Sequence, residues 1–232
     1  MRVTLLAHTV MLQERVVTVE GRTWEAERGA SDADSLAEFA SRGCYKSYHK
    51  PNPRTRKNED YLNHVISVGH ESVLAHASAT FFIEDVSRGL THELIRSRFL
   101  AFSQESQRYV DTSQNGIALP PLVEQAGFED AHRVMVEACA DAFERYEELV
   151  SVFESRGVPR KQAREAARAV LPNATTTSLT VSGNLRAWRD FIKQRWSAQA
   201  DREIRDLAGY LLHELRSIAP STFQDIPGEP YT

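Results

Sequence analysis

Apolar residues recur along this chain with two different periods, and the changes of period mark its elements. Val3, Leu5 and Ala7 alternate with residues turned the other way, and 16–19 (VVTV) is β-branched, so the chain opens with two short strands. A helix is expected from Ser35, with Leu36, Phe39 and Ala40 on one face, ending near Gly43. Two prolines and several charges make 50–57 (KPNPRTRK) a loop. A helix from about Asn58 places Leu62, Val65 and Ile66 together and stops at Gly69. The run 77–83 (ASATFFI) is a strand. The longest periodic stretch is 130–155, where Ala131, Val134, Met135, Ala138, Ala142, Phe143, Tyr146, Leu149, Val150 and Phe153 keep a helical spacing, punctuated by Gly157 and Pro159. A helix over 160–170, a strand over 175–181 (TTTSLTV) and helices over 185–196 and 202–218 follow. The last two turn Trp188, Phe191 and Ile192, then Ile204, Leu207, Leu211 and Leu215, inward. With no repeat and no low-complexity tract, the pattern predicts an α+β class with a helical majority, and the length allows one sizeable domain or a domain with a small helical partner.

Composition narrows the function. The net charge of −4 and pI near 6.1 argue against a protein that coats long nucleic acids, yet allow a local basic cluster for a small anion. Cys44 and Cys139 are the two cysteines, too few for a disulfide framework or a CxxC metal site. The opening residues lack the apolar core of a signal peptide, and no apolar run is long enough for a bilayer, so a cytoplasmic protein without membrane partners is expected.

The usual catalytic signatures are missing. There is no GxGxxG, no GxxxxGK[ST] and no GxSxG. His64, His70 and His76 recur every six residues, and His92-Glu93 has no second histidine four residues on, so no metal site is expected. Cys139 shares the apolar stripe of its helix and reads as a buried thiol; Cys44, near Lys46, lacks a histidine partner.

What the chain offers is arginine. Arg88, Arg96, Arg98 and Arg108 lie close together, interleaved with Glu93, Ser103, Gln104, Glu105, Ser106 and Gln107. The bland reading is a solvated face. Against it stand the dense hydrogen-bonding run SQESQR and the aromatic residues Phe99, Phe102 and Tyr109 among the charges, which fit an anion pocket with stacking walls. Lys161, Arg164 and Arg168 form a second stripe on one helix face, nearly opposite Ala163, Ala166, Ala167 and Val170; it is either solvated or lines a cleft. In SGNLRAWRDFIKQRW, Asn184 is a plausible N-cap, Arg186 and Arg195 are further donors, and Trp188 belongs to the core.

These residues resemble a known family. Flavin-dependent thymidylate synthases carry RHR, seven residues, then S; here Arg96-Ser97-Arg98 is followed seven residues later by Ser106, then Gln107-Arg108-Tyr109. GHESVLAHAS (69–78), SRGLTHELIR (87–96), RKQAREAARAVLPNAT (160–175) and GNLRAWRDFIKQR (183–195) are also similar to the family, nearest its actinobacterial branch, over roughly 35–223. The resemblance implies a helix-rich α+β fold with a small antiparallel sheet. It also implies a single catalytic domain over 1–232, a homotetramer with active sites at subunit interfaces, and C5 methylation of a uridine monophosphate (UMP or dUMP) by FAD, NADPH and 5,10-methylenetetrahydrofolate. No protein nucleophile is then needed, because the flavin relays the one-carbon unit.

Carried over by position, Arg88, Glu93, Gln104, Ser106, Arg108, Arg168 and Arg195 match nucleotide-binding residues, and Arg96, Glu105 and Gln107 of the same motif are expected beside them. Arg168 and Arg195 are the expected catalytic cations, Arg195 favouring negative charge on the pyrimidine. Ser72, Arg96, Arg98, Asn184 and Arg186 match FAD-binding positions, joined by Ser97, Gln104, Leu185 and Asp190, with His70 near the folate or NADPH. Ala75, Ser97, Ala101, Asp190 and Gln199 depart from the family pattern, where glutamate, histidine, serine, histidine or asparagine, and histidine are usual. With the phosphate arginines kept, these departures resemble a specialised branch in nucleoside antibiotic pathways such as polyoxin's, which accepts UMP as well as dUMP. The competing readings are a strict dUMP enzyme, a flavoprotein that only oxidises NADPH, and a non-catalytic phosphate- or RNA-binding protein.

Overall fold

In the computed structural model, residues 1–12, 16–49 and 52–232 are described; Gln13, Glu14 and Arg15, and Lys50 and Pro51 of the expected loop, lie outside them. The strands are β1 (Arg2–His8), β2 (Val16–Val19), β3 (Arg22–Glu25), β4 (Ser78–Ser87), β5 (Leu100–Gln104) and β6 (Thr176–Asn184). The helices are α1 (Asp32–Cys44), α2 (Asn58–Ser67), α3 (Arg88–Leu94), α4 (Glu129–Ser155), α5 (Arg160–Ala167), α6 (Leu185–Arg195) and α7 (Arg202–Ile218). The main sheet has the order β1-β4-β6-β5; β2 and β3 form an antiparallel hairpin with Val17 opposite Trp24. This is the α+β, helix-rich pattern expected.

Local chemistry sets the boundaries. Helix α1 starts at Asp32, three residues before the expected Ser35, because the Ser31 hydroxyl accepts from the Asp34 N–H and caps it. Helices α2 and α4 end alike. Gly69 and Gly157 take left-handed φ of +75° and +81°, letting the next amide reach back to the carbonyl of Val65 or Phe153. The first of these turns delivers His70. Helix α5 stops at Ala167, short of the expected 170, and tightens into a 3₁₀ turn over Arg168–Val170 before Pro172.

The chain divides into two compact units. One comprises Met1–Arg2, Ile83–Arg96 and Phe102–Thr180, with α3, α4 and α5. Here Ala163 and Ala167 are fully buried, the close packing through small residues expected of α5, whereas Ala166 and Val170 are exposed. On α4 only Cys139 and Tyr146 are buried; Ala131, Val134 and Ala138 of its apolar stripe face outward. The other unit comprises Val3–Phe82, Ser97–Ala101 and Val181–Thr232. Its core joins Leu62, Val65 and Leu74 to Ala37, while Trp188 lies edge-on to Phe81 at 5.1 Å and donates its indole N–H to the Ala79 carbonyl.

Candidate functional site

The first unit holds a cluster of cations and neutral donors. Ser87 caps α3, so Arg88 leaves the end of β4 at a fixed angle, half-buried, donating to the Glu105 carbonyl at 3.2 Å. Its guanidinium is held below its usual pKa, first by burial and then by the charge of Arg168. Two cations are therefore kept within mutual repulsion. Arg168 makes no side-chain hydrogen bond or ion pair among the described residues. The charge of Glu105 partly offsets that repulsion.

Neutral hydrogen-bonding residues and further cations belong to the same unit. Gln104, at the end of β5, donates to the hydroxyls of Thr91 (3.2 Å) and Thr177 (3.4 Å), so its carbonyl oxygen remains to accept. Asn115 bridges the Glu105 carboxylate and the Thr176 carbonyl, both at 2.9 Å. The Ser106 carbonyl accepts from the amides of Tyr109 and Val110, which turns the chain tightly and brings out Arg108. Arg108 pairs loosely with Glu165 at 3.4 Å. Arg164 is not part of a solvated stripe: it donates to the Tyr109 carbonyl and to Asp111, both at 2.7 Å. Lys161 lies 4.8 Å from the Tyr109 ring, and its hydrogen bond and charge hold that phenol below its usual pKa. Gln107 is buried, Glu93 half-buried and Arg96 exposed.

The second unit holds a separate group. The Asn184 carbonyl oxygen caps α6 by accepting from Ala187, leaving its amide to donate. The Leu185 side chain is buried. Arg186 and Asp190, one turn apart on α6, are exposed and half-buried, and Arg195 ends the helix half-buried. Ser72 is exposed on a 3₁₀ turn, Glu71–His76; Arg98 is exposed and Ser97 half-buried ahead of β5. His70 bonds the Tyr45 hydroxyl at 3.2 Å, with the two rings nearly parallel, on the wall of a cavity of about 640 Å³ floored by Tyr61, Val65 and Val68. Among the described residues no group of three or more His, Cys, Asp or Glu could hold a metal, and no helix is long and apolar enough to cross a membrane.

Comparison with known proteins decides the family. The family model described as thymidylate synthase complementing protein matches residues 28–221. A probable flavin-dependent thymidylate synthase of Mycobacterium phage D29 is 51% identical, covering 100% of this chain and 99% of its own. One from Mycobacterium phage L5 is 56% identical over 88% of this chain and 85% of its own. The flavin-dependent thymidylate synthase of Mycobacterium tuberculosis is 45% identical over 97% and 89%. The chain belongs to the flavin-dependent thymidylate synthase family.

In this family member, the motif residues 88–108 fall mainly in one unit, joined there by Arg168, while positions 70–72, 97–98 and 184–195 lie in the other. Two residues that hold these groups escaped the sequence reading. Arg164 belongs to a stripe expected to be either solvated or lining a cleft; instead it clamps the 109–111 segment. Arg189, wholly buried on α6 between Arg186 and Asp190 in sequence, pairs with Asp225 at 2.7 and 2.8 Å and with Glu71 at 3.4 Å. Its signal was present: within a helix, an arginine three residues after Leu185-Arg186 and next to Trp188 lies on the apolar stripe.

Proposed function

We propose that the protein carries out reductive C5 methylation of a uridine monophosphate, dUMP foremost, as a single catalytic domain using FAD, NADPH and 5,10-methylenetetrahydrofolate. The observation that supports this reading is Arg88, half-buried and within the charge influence of Arg168, in a chain of this family. Arg88, Arg168 and Arg108 hold the phosphate; Ser106 and Gln104 bond the nucleoside. Arg195 supplies a fixed cation where negative charge develops on the pyrimidine ring.

The donors expected at FAD fit that cofactor. Arg98 and Arg186 are exposed, with no side-chain hydrogen bond or ion pair among the described residues, and suit a pyrophosphate; the Asn184 amide and Ser72 hydroxyl add neutral bonds. When bound, the flavin supplies the electrons and relays the one-carbon unit. The outward apolar stripe of α4, with Val134 58% exposed, supports assembly of several copies, in keeping with a homotetramer whose subunits share sites.

The test is a product assay. Purified protein with FAD, NADPH and methylenetetrahydrofolate is given UMP and dUMP in competition, and 5-methylated nucleotides are resolved by mass spectrometry. Formation of dTMP supports the reading, and 5-methyl-UMP at a comparable rate extends it to the ribonucleotide. NADPH consumption with neither product refutes methylation, and a colourless protein that binds no flavin refutes the cofactor.

A further inference from the structure

Helix α5 meets the segment after Ser106 with successive side chains. Lys161 lies against the Tyr109 ring, Arg164 holds the Tyr109 carbonyl and Asp111, and Glu165 pairs with Arg108. The same helix leads into Arg168, three residues beyond Glu165 and so on nearly the same side. A carboxylate therefore stands within one turn of the cation that repels Arg88, and it holds the guanidinium of a third arginine.

The two contacts on this strap differ in kind. Arg164 is bound at 2.7 Å twice, with its side chain only 11% exposed. The Arg108–Glu165 pair is longer, 3.4 Å, and both partners are about half exposed, at 42% and 49%. A half-exposed pair of that length is cheap to open. So Arg164 fixes the backbone, while Arg108 is left on a weak, exchangeable partner.

We propose that Glu165 is a parking carboxylate. It holds Arg108 in the ligand-free enzyme and gives it up to the phosphate of the incoming nucleotide. This rests on the reading of Arg108 as a phosphate ligand. Glu165 then acts as a built-in competitor that lowers nucleotide affinity and keeps the empty cluster from accumulating unpaired charge. Removing it should tighten binding, the opposite of what loss of an ordinary supporting ion pair would do.

The experiment is a double-mutant cycle on the FAD-loaded enzyme, with dUMP binding measured by calorimetry for the wild type, Glu165→Gln, Arg108→Gln and the double variant. Glu165→Gln should bind dUMP about threefold tighter, within the range of a half-exposed ion pair. In the Arg108→Gln background the same change should have almost no effect. Unchanged or weaker binding by Glu165→Gln overturns the proposal. Equal tightening in both backgrounds also overturns it, because a general charge effect would then suffice. If Arg108→Gln alone leaves dUMP binding unchanged, the phosphate role of Arg108 fails first, and the parking role with it.

Discussion

Arg189 offers a demanding test of how α6 is held. Its side chain is fully buried and donates to the Thr222 carbonyl, to both oxygens of Asp225 and to Glu71, which Lys193 also binds at 2.7 Å. Arg189→Met keeps the length of the side chain and removes every donor. Breaking a buried pair by deleting one partner costs about 3–5 kcal/mol. The carboxylates left behind are 29% and 18% exposed and Glu71 keeps Lys193, so the low end applies, about 3 kcal/mol. With a urea slope of roughly 2–3 kcal/mol/M, the midpoint should fall by about 1 M. Tryptophan fluorescence suits the measurement, because Trp24, Trp188 and Trp196 all lie in the same unit as Arg189. A pH series adds a sign. Burial pushes the Glu71 and Asp225 carboxyls up, but hydrogen bonds and charge from Lys193 and Arg189 outweigh it and leave both below the ordinary range. Their contribution is present above the unfolded carboxylate pKa and is lost as pH falls through the depressed folded values. The gap between wild type and variant should therefore close on acidification below about pH 4. A cost under about 1 kcal/mol at neutral pH, or a gap unchanged by acid, would refute the view that this network anchors α6.

Asp34 predicts the opposite pH dependence. It is buried, accepts from the amides of Ser221 and Thr222 and from the Thr222 hydroxyl, and burial nonetheless lifts its pKa. The folded state then holds the proton more tightly, so stability falls as pH rises from the ordinary carboxylate range through the raised folded value. Asp34→Asn should remove that slope, yet cost about 1–3 kcal/mol in urea unfolding by turning an amide toward donors. Gly209→Ala places a Cβ 2.7 Å from the Trp196 ring and should cost about 1–3 kcal/mol, read as a lower melting temperature. Arg88→Gln and Arg168→Gln should each weaken dUMP binding by about 10-fold or more, the scale of a charge-assisted hydrogen bond, with flavin absorbance unchanged. A matching loss of flavin would show that these arginines support the whole fold rather than one ligand.

The elements that sequence revealed are those whose own residues set the period. Helix α7 occupies 202–218 as expected, and α4 begins one residue from its expected start, because a long apolar stripe fixes a helix whatever it packs against. What escaped was short or non-local. Helix α3 has seven residues, including a glycine and a β-branched threonine; β5 has five; β3 buries only Trp24. The sheet order β1-β4-β6-β5 depends on partners far apart in the chain, which no local period reports. The α4 stripe, mostly half-buried or exposed in this chain, follows the same rule. Periodicity shows that a face is apolar, but not whether this chain covers it.

The candidate site shows the same division at the level of charge. By residue type alone, Arg88, Arg108, Arg164, Arg168 and Arg189 are equivalent cations, and only the family resemblance separates Arg88, Arg108 and Arg168 from the others. Folding separates them by the partners they already have. Arg189 has two carboxylates and a carbonyl, and Arg164 a carboxylate and a carbonyl, so neither has much left to offer a ligand. Arg108 has one loose ion pair and a distant face contact with the Tyr109 ring, and Arg88 donates to one carbonyl while Arg168 repels it and Glu105 attracts it. An arginine tied to several partners holds structure, whereas one with few partners keeps donors for a ligand, which is what the proposed phosphate role of Arg88, Arg108 and Arg168 draws on. That distinction is set by contacts between residues up to 118 positions apart, such as Arg189 with Glu71, and composition alone does not contain it.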